Sequence, residues 1–255
     1  MNLKNNKVLK QDTESVVKKS NELSLARINH GLTLNQTQLL AFAIFATQKT
    51  GKTEFHKADF EKKFELERYK TSQAKADAKK LLSLQVGKDV DLEKWSFWNV
   101  LIGMDYNQGL FEFDWHPKML PHILDLKERY ITTDLTIASQ FKSSFSWTLY
   151  DLLKASYGLW YKDFTKQQLM QLFNVQDVTT YSNTAQFKRG VLDKAIAEIN
   201  TLTEYQVHYK EKKEGRAIVG FTLIWTVGET MKKCTKKQIE DAERVCETIL
   251  DQALD

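Results

Sequence analysis

The sequence contains little cysteine and little proline, with only two residues of each among 255. Cys234 and Cys246 lie in one late segment with a helical pattern, where a disulfide would need an unusual fold-back, so we expect free thiols. No apolar stretch approaches the roughly 18 residues that cross a bilayer, and the N-terminus lacks the hydrophobic centre of a signal peptide. We therefore expect a cytoplasmic protein without a membrane partner.

Motifs of catalysis are also scarce. The five histidines are scattered, and no two have the spacing of a familiar metal site. The chain has no Gly-x-Ser-x-Gly element and no Cys/His pair that indicates a nucleophile. Residues 46–53 fit only a relaxed phosphate-loop pattern, because Ala46 stands where the strict motif has glycine. We expect no enzyme, no cofactor and no metal, and a phosphate-loop ATPase is the least favoured alternative.

The composition favours a folded protein and permits an anionic partner. Hydrophobic residues make up 42% of the chain and charged residues 27%, which is enough apolar material for packed cores. The net charge of +4 suits a nucleic-acid partner, yet many proteins without such a role are equally basic. The length allows one large domain or two of ordinary size. The distribution of residues along the chain must therefore decide whether the partner is a nucleic acid and how many domains there are.

Two parts of the chain repeat one pattern at an offset of 109 residues. Residues 55–64 (FHKADFEKKF) and residues 164–173 (FTKQQLMQLF) have apolar side chains at the first, sixth and tenth positions. At the same offset, residues 39–46 match residues 148–155, again with apolar positions aligned. A duplicated domain leaves consecutive matches in one register, so the repeat predicts two similar domains.

Two capping boxes predict where helices begin. Thr33 is followed at the third position by Gln36, and Thr165 is followed in the same way by Gln168. Phe164 precedes the second box and would form a hydrophobic staple with a leucine of the helix. These patterns predict short helices with defined starts in both copies.

Each copy continues with a third helix and an alternating segment typical of a hairpin. The third helices are predicted over residues 72–85 and 184–200. In the second copy, residues 205–225 alternate around a turn at KEKKEG, and in the first copy the segment from Trp95 to Trp115 turns at NQG. Three helices and a hairpin make a winged helix. The predicted fold class is therefore α+β, mainly helical, with two tandem winged-helix domains.

The predicted boundaries follow from these elements. The only two prolines, Pro117 and Pro121, punctuate the passage out of the first wing, and a helix starts near Ser143. We predict an N-terminal arm over residues 1–20 and a first domain that contacts the DNA backbone over residues 21–134. A sequence-specific second domain follows over residues 135–228, and a C-terminal helical tail over residues 229–255.

The third helix of the second copy is a candidate recognition helix. Asn183 is its predicted N-cap, so the helix start would present free backbone N–H groups. On the exposed face, Gln186 would pair with adenine, Arg189 with guanine and Asp193 with cytosine, while Lys188 would suit a phosphate. The bland alternative is an amphipathic helix with a solvated charged face. The predicted buried stripe consists of Phe187, Val191, Leu192, Ala195 and Ile199.

Basic residues after and before this helix favour the DNA-binding interpretation. In the predicted turn of the second hairpin we expect phosphate contacts from Lys210, Lys212, Lys213 and Arg216. A hairpin tip needs polar residues in any case, so their place directly after a candidate recognition helix is what favours function. In the first domain, we expect Lys75, Lys79 and Lys80 to hold phosphates, because they lie off the apolar stripe of their helix and few base-reading side chains accompany them.

The aromatic residues permit a further interpretation. Six tryptophans invite the hypothesis that bases of single-stranded DNA stack on them. Most of them alternate with polar residues in strands or lie among other apolar residues, which packing alone would produce. We therefore expect most of the tryptophans in the core.

The chain resembles the bacterial plasmid replication initiators that bind iterons through two winged-helix domains. The resemblance extends over residues 21–225 and is carried by NELSLARINHGLTLNQTQLLAFAI, SSFSWTLYDLLKAS and FKRGVLDKAIAEINTLTEYQVHYKEKKEGRAIVGFTLIW. It places Phe187, Leu192, Ala195, Ile199 and Asn200 on the family's third helix of the second domain, and Gly215 and Arg216 on its wing.

The resemblance implies a function. A monomer would bind tandem direct repeats of double-stranded DNA at an origin, help to open an adjacent AT-rich segment and recruit host replication proteins, including the helicase machinery. A homodimer would commonly repress its own gene. The alternative is a winged-helix transcriptional regulator without a replication role, and regulators favour palindromic sites over direct repeats.

Overall fold

The computed structural model describes residues 16–20, 31–124, 130–156 and 158–227. Cys234, Cys246, the predicted C-terminal tail and most of the predicted N-terminal arm lie outside the described residues. Among the described residues, no helix is long and apolar enough to cross a membrane.

The first domain combines helices with two hairpins. Helix α1 begins at the predicted capping box, in which Thr33 and Gln36 satisfy each other's backbone N–H groups. Strand β2 pairs with β6, and β6 pairs with β5, so the wing belongs to a three-stranded antiparallel sheet. Its elements are α1 (Leu34–Thr50), β2 (Glu54–His56), α2 (Lys57–Lys63), α3 (Thr71–Leu82), β3 (Gln85–Asp91), β4 (Lys94–Asn99), β5 (Leu101–Asn107) and β6 (Leu110–Trp115).

A short two-stranded sheet lies between the two sets of winged-helix elements. Strand β1 (Val16–Ser20) pairs with β7 (Tyr130–Asp134) in antiparallel register. A buried ion pair joins Lys19 of β1 to Asp151 of the next long helix. A 3₁₀ turn (Pro117–Met119) and α4 (Leu120–Ile123) precede β7 in the chain, and α5 (Leu135–Ala138) follows it.

The second domain repeats the order of the first. Helix α6 packs against α10, and β10 is the central strand of a sheet with β8 and β9 on its two sides. One continuous stretch, which we call the 184–202 helix, consists of α9, a π-helical turn and α10. The elements are α6 (Ser144–Ala155), β8 (Tyr161–Thr165), α7 (Lys166–Leu172), α8 (Thr179–Ser182), α9 (Thr184–Phe187), the π turn (Lys188–Leu192), α10 (Asp193–Leu202), β9 (Tyr205–Glu214) and β10 (Ala217–Val227).

The predicted repeat is confirmed in the backbone. Helices α2 and α7 begin at Lys57 and Lys166, which are 109 residues apart, and each has seven residues. Directly after them, Glu65 and Asn174 adopt the left-handed conformation with φ of 51° and 52°, again at the same offset. Because non-glycine residues rarely adopt positive φ, this coincidence indicates that both copies use the same helix-terminating turn.

The cores of the two domains are closely packed and rich in aromatic rings. In the first domain, the Phe42 ring contacts the rings of Phe55, Phe60 and Phe64 at centroid distances of 4.9, 5.8 and 6.1 Å. In the second domain, the predicted apolar stripe of the 184–202 helix is fully buried at all five positions. Burial of such side chains contributes about 1.5–3 kcal/mol each, so these two clusters hold the helices on their sheets.

The expectation of a mainly helical chain is not confirmed. Among the described residues there are ten strands, and the fold is a mixed α+β arrangement. Strands β2 and β8, which are short edge strands of three and five residues, were not predicted from the sequence. Their pairing partners lie more than fifty residues away in the chain, so no local pattern announces them.

The segment from Trp95 to Trp115 belongs to two hairpins, because it contains one strand of the first and both strands of the second, so the prediction of a single hairpin was wrong. Trp95 lies on β4, which pairs with β3, whereas the turn at Gln108 and Gly109 joins β5 to β6. Strand β4 ends at Asn99 and β5 begins at Leu101, and Val100 between them has a buried side chain in the core. Apolar alternation on both sides of that break therefore gave the pattern of one long strand.

The predicted turn of the second wing was also misplaced. Strand β9 runs through the KEKKEG segment to Glu214, and the turn consists of Gly215 and Arg216. Lys210 and Lys212 pair in register with Thr222 and Gly220 of β10. The lysine-rich composition of this segment is typical of a loop, but backbone pairing to the apolar strand β10 keeps the segment extended.

The phosphate-loop alternative is contradicted by the secondary structure. A phosphate loop follows a strand and precedes a helix. Here residues up to Thr50 are helical, Gly51 ends the helix in the left-handed conformation, and a strand follows at Glu54. Lys52 is exposed and forms an ion pair with Glu54 at 3.2 Å, so it does not face a phosphate cradle.

Candidate nucleic-acid interface

The start of the 184–202 helix is capped as predicted. The Asn183 side-chain oxygen accepts hydrogen bonds from the backbone N–H groups of Ala185 at 2.9 Å and Gln186 at 3.2 Å. This cap fixes the first turn, and the partial positive charge of the helix N-terminus faces solvent at that end. An anion such as a DNA phosphate is therefore favoured near this end of the helix.

Three predicted base-reading residues occupy the outer face of this helix. The Arg189 guanidinium donates a hydrogen bond to the Gln186 amide oxygen at 2.9 Å, so the two side chains lie side by side. Asp193 is exposed one turn further on and accepts a hydrogen bond from the Tyr209 hydroxyl at 2.8 Å. Arginine and glutamine carry the donors that recognise guanine and adenine edges, whereas Asp193 is already engaged with the wing strand.

The middle of the helix is a π-helical turn, Lys188–Leu192. Wider turns of this kind recur at functional sites in helices. Here the turn includes Arg189, and it places Gly190 against the ring of Tyr181, where an added Cβ would lie 2.8 Å from the Tyr181 Cε1 atom. The sequence did not predict this turn, since no residue pattern in the stretch distinguishes it from an ordinary helix.

Lys188 does not stand free for a phosphate. Its ammonium group forms an ion pair with Glu211 on β9 and lies over the ring of Tyr209 at 5.9 Å. Two polar contacts on this side therefore join the helix to the wing strand, one from Lys188 to Glu211 and one from Tyr209 to Asp193. These two polar links hold the helix and the wing together.

The basic residues of the wing are divided between two faces. Side chains alternate along a strand, so Lys210 and Lys212 lie on one face of β9 and Lys213 on the other, with Glu211. Lys212 forms an ion pair at 2.7 Å with Asp163 of β8, and Lys213 forms one at 3.3 Å with Glu211. Arg216 is exposed in the turn.

Two wing carboxylates stay ionised beside these lysines. The hydrogen bond from Lys188 lowers the pKa of Glu211, and the bond from Lys213 lowers it further. Burial raises the pKa of Asp163, but hydrogen bonds from Lys212 and Thr222 outweigh that effect and bring the pKa below its usual value. The wing is therefore less positive than its lysine count suggests, because these negative charges remain at neutral pH.

Lys166 is a positioning residue that the sequence analysis missed. Its ammonium group donates hydrogen bonds to the backbone carbonyl of Ser182 and, at 3.1 Å, to the hydroxyl of Thr184. Burial lowers its pKa. Since Lys166 begins α7, these bonds tie the second helix to the start of the 184–202 helix. The signal in the sequence is only a lysine after a capping threonine.

In the first domain, α3 presents its three predicted lysines to solvent. Lys75, Lys79 and Lys80 are exposed, and the first two line a cleft of about 410 Å³ between α3 and the wing strand β5. The opposite face of α3 carries Asp77, which is fully buried, a feature that the sequence analysis also missed.

Asp77 anchors α3 through neutral donors. Its carboxylate accepts hydrogen bonds from the Tyr69 hydroxyl at 2.6 Å, from Gln36 at 2.8 Å and from Gln73 at 2.9 Å. Gln36 is also part of the capping box of α1, so one side chain joins the first and third helices. A buried carboxylate needs such bonds to offset the cost of desolvation. The sequence did not indicate that Asp77 is buried, because its neighbours on the helix are polar.

Among the described residues, no group of three or more His, Cys, Asp or Glu side chains is placed to hold a metal ion.

Of the tryptophans, Trp115, Trp147 and Trp225 are buried, whereas Trp95 and Trp160 are exposed. Trp98 is partly buried and packs against the core, so four of the six tryptophans pack as predicted and two remain on the surface.

Two family models cover most of the chain. The model described as "Initiator Replication protein, WH1" matches residues 16–154, and the model described as "Initiator Rep protein, WH2" matches residues 165–225. The chain belongs to the initiator Rep protein family. The WH2 match contains every second-domain site residue, and the WH1 match contains the three lysines of α3. The domain boundaries given above remain predictions.

One solved structure shows the same fold. This Rep protein is similar to the Pi initiator protein in complex with iteron DNA, with a TM-score of 0.64 and 21% identity over 85% of this chain and 98% of that chain. Domains 2 and 3 of RctB match with a TM-score of 0.45 and 11% identity, over 75% of this chain and 80% of that chain. The comparison with curated proteins gave no match.

Proposed function

We propose that this Rep protein initiates plasmid replication by binding repeated duplex DNA sites, or iterons, at the origin. The proposal rests on the capped 184–202 helix, in which the exposed Arg189 and the half-buried Gln186 lie beside a lysine-rich wing. A helix with such side chains fits the major groove, and a wing supplies backbone contacts beside it. The Pi initiator, which has the same fold, was solved with iteron DNA.

Each proposed contact has a role that follows from its chemistry. Arg189 reads guanine through two hydrogen bonds, and Gln186 reads adenine. Asn183 caps the helix at the end that approaches the DNA. Asp193 accepts from cytosine only if Tyr209 releases it, so its proposed base contact is the weakest of the three. The proposed phosphate contacts are Lys188, Lys210, Lys212, Lys213 and Arg216. Of these, Lys188, Lys212 and Lys213 must exchange a carboxylate partner for the phosphate.

The first domain is proposed to position the protein on the duplex. Its exposed lysines, Lys75, Lys79 and Lys80, have few base-reading side chains beside them and would bind phosphates. Contacts from both domains on one site would fix the orientation of the protein, and several proteins on phased repeats would bend the DNA. That binding energy would offset part of the cost of opening a flexible AT-rich segment. Recruitment of the host helicase belongs to the same proposal.

Self-association through the first domain is proposed as well. Strand β4 exposes a stacked pair of rings, Trp95 and Phe97, with centroids 5.9 Å apart and exposed fractions of 63% and 51%. Ile102 on β5, the next strand along the chain, is also exposed. Exposed apolar clusters of this kind favour a partner surface, and a second copy of the chain would give the dimer expected of an autorepressor.

The test of the proposed function is footprinting of the full chain on the DNA that flanks its own gene. Protection of tandem direct repeats spaced by about two helical turns is the expected result, with reactivity to single-strand reagents rising in an adjacent AT-rich segment. Protection of a palindrome alone, without strand opening, would instead support the transcriptional regulator. No protection above that on scrambled DNA would refute sequence-specific binding.

A further inference from the structure

Glu211 occupies a central place between the 184–202 helix and the wing. It lies on the face of β9 that also carries Tyr209 and Lys213, and its side chain is 22% exposed. One carboxylate oxygen bonds the ammonium group of Lys188, and the other lies 3.3 Å from that of Lys213. A single carboxylate thus holds one lysine of the helix and one lysine of the wing.

This arrangement affects the two components of DNA binding differently. Sequence-independent affinity rises with the number of cations free to neutralise phosphates, so a carboxylate bound to two lysines lowers it. Base recognition depends instead on the positions of side chains in the groove. Lys188 directly precedes Arg189, so the link from Lys188 to Glu211 also restrains the turn that carries Arg189.

We propose that Glu211 is a specificity-determining residue of the second domain. It positions Lys188 and Lys213 between helix and wing, and it lowers the affinity for duplex DNA that lacks the cognate sequence. This inference rests on the proposed function, since it assumes that the 184–202 helix reads DNA.

Glu214 provides a matched control. It lies on the same strand three residues away, is exposed, and forms no ion pair among the described residues. Glu211→Gln and Glu214→Gln remove the same charge from the same hairpin. A difference between them therefore reports the ion pairs of Glu211, whereas an equal effect reports net charge alone.

The experiment measures Kd of wild type and both variants on a cognate repeat and on a scrambled duplex at several salt concentrations. For Glu211→Gln we expect scrambled binding to tighten about three- to tenfold more than cognate binding, with a salt slope on scrambled DNA steeper by about one unit. Glu214→Gln should shift both duplexes by the same factor. Equal behaviour of the two variants, or equal tightening on both duplexes by Glu211→Gln, would overturn the proposal.

A double-mutant cycle separates the ion pair with Lys188 from any general effect of Glu211→Gln on the fold. In the Lys188→Gln background, the ion pair to the helix is already absent, so Glu211→Gln should lower the ratio of cognate to scrambled affinity less than it does in the wild type. The same decrease in both backgrounds would contradict the role assigned to the Lys188 pair. Failure of the proposed function itself is distinguishable, because the wild type would then bind cognate and scrambled duplexes equally.

Discussion

Asn200 hydrogen-bonds both backbone groups of Val207. Its amide nitrogen donates to the Val207 carbonyl at 2.8 Å, and its amide oxygen accepts from the Val207 N–H at 2.6 Å. The two residues join the end of the 184–202 helix to the start of the wing. Because both groups would otherwise lack a partner at this junction, the pair fixes where the wing leaves the helix.

The first prediction is that Asn200→Ala destabilises the second domain by about 1–3 kcal/mol, since two backbone groups lose their partners. Urea unfolding monitored by circular dichroism measures the change. Thr201→Ala is the control, because Thr201 is exposed and bonds only within the helix, at Ala197. It should change stability by less than about 0.5 kcal/mol. Equal effects of the two variants would show that the Asn200 pair has no special role.

The second prediction concerns the close approach of β8 and β10 at Gly220. A Cβ at this position would lie 2.4 Å from the backbone carbonyl oxygen of Phe164. Backbone cannot move aside as a flexible side chain does, so Gly220→Ala should force the strands apart and cost about 1–3 kcal/mol or more. Thermal unfolding checks this, and a variant with wild-type stability would mean that β8 does not pair as described.

Much of this fold follows from local sequence patterns, and the parts that do not are non-local. The capping boxes at Thr33 and Thr165 and the buried stripe around Phe187 depend on spacing within one or two turns, so the sequence predicts them. The pairing of β8 with β10 and the ion pairs of Glu211 join residues far apart in the chain. No periodicity records such contacts.

The candidate site divides in the same way. Exposure of Arg189 and the cap at Asn183 follow from helix geometry and were predictable. The contacts of Lys188, Lys212 and Asp193 with residues on neighbouring strands could not be predicted. The sequence shows the same letter whether a charged side chain is free or paired. The wing lysines therefore looked like one positive cluster in the sequence and form two faces in the structure.

The third prediction is that Lys52→Ala leaves DNA binding and replication nearly unchanged. Lys52 is exposed between a helix and a strand, with Glu54 as its partner, so its loss should change stability by less than about 0.5 kcal/mol. Duplex titration and a plasmid-maintenance assay measure the two activities. ATP turnover by the wild type that disappears in this variant would restore the phosphate-loop interpretation.

The fourth prediction tests the proposed self-association surface. Trp95→Ser combined with Phe97→Ser should shift DNA-free protein from dimer towards monomer in sedimentation, because it removes the stacked rings exposed on β4. Trp160→Ser is the control, since Trp160 is also exposed, at 58%, but lies in the second domain. Wild-type protein that stays monomeric from micromolar to high concentration would contradict dimer formation.

The fifth prediction follows from the proposal that Arg189 reads a base edge, whereas Lys212 contacts a phosphate. Arg189→Ala should cost about 1–3 kcal/mol on the cognate repeat and relax preference at one base position, with little change on scrambled DNA. Lys212→Ala should weaken both duplexes by a similar factor and lower the salt slope by at most about one unit, since Asp163 already offsets part of its charge.

The most direct measurement is therefore a titration of both variants against cognate and scrambled duplexes at several salt concentrations. We expect that, of the two variants, only Arg189→Ala lowers the ratio of cognate to scrambled affinity. If Arg189→Ala instead weakens both duplexes equally, the 184–202 helix does not read the sequence, and its charged face is merely solvated.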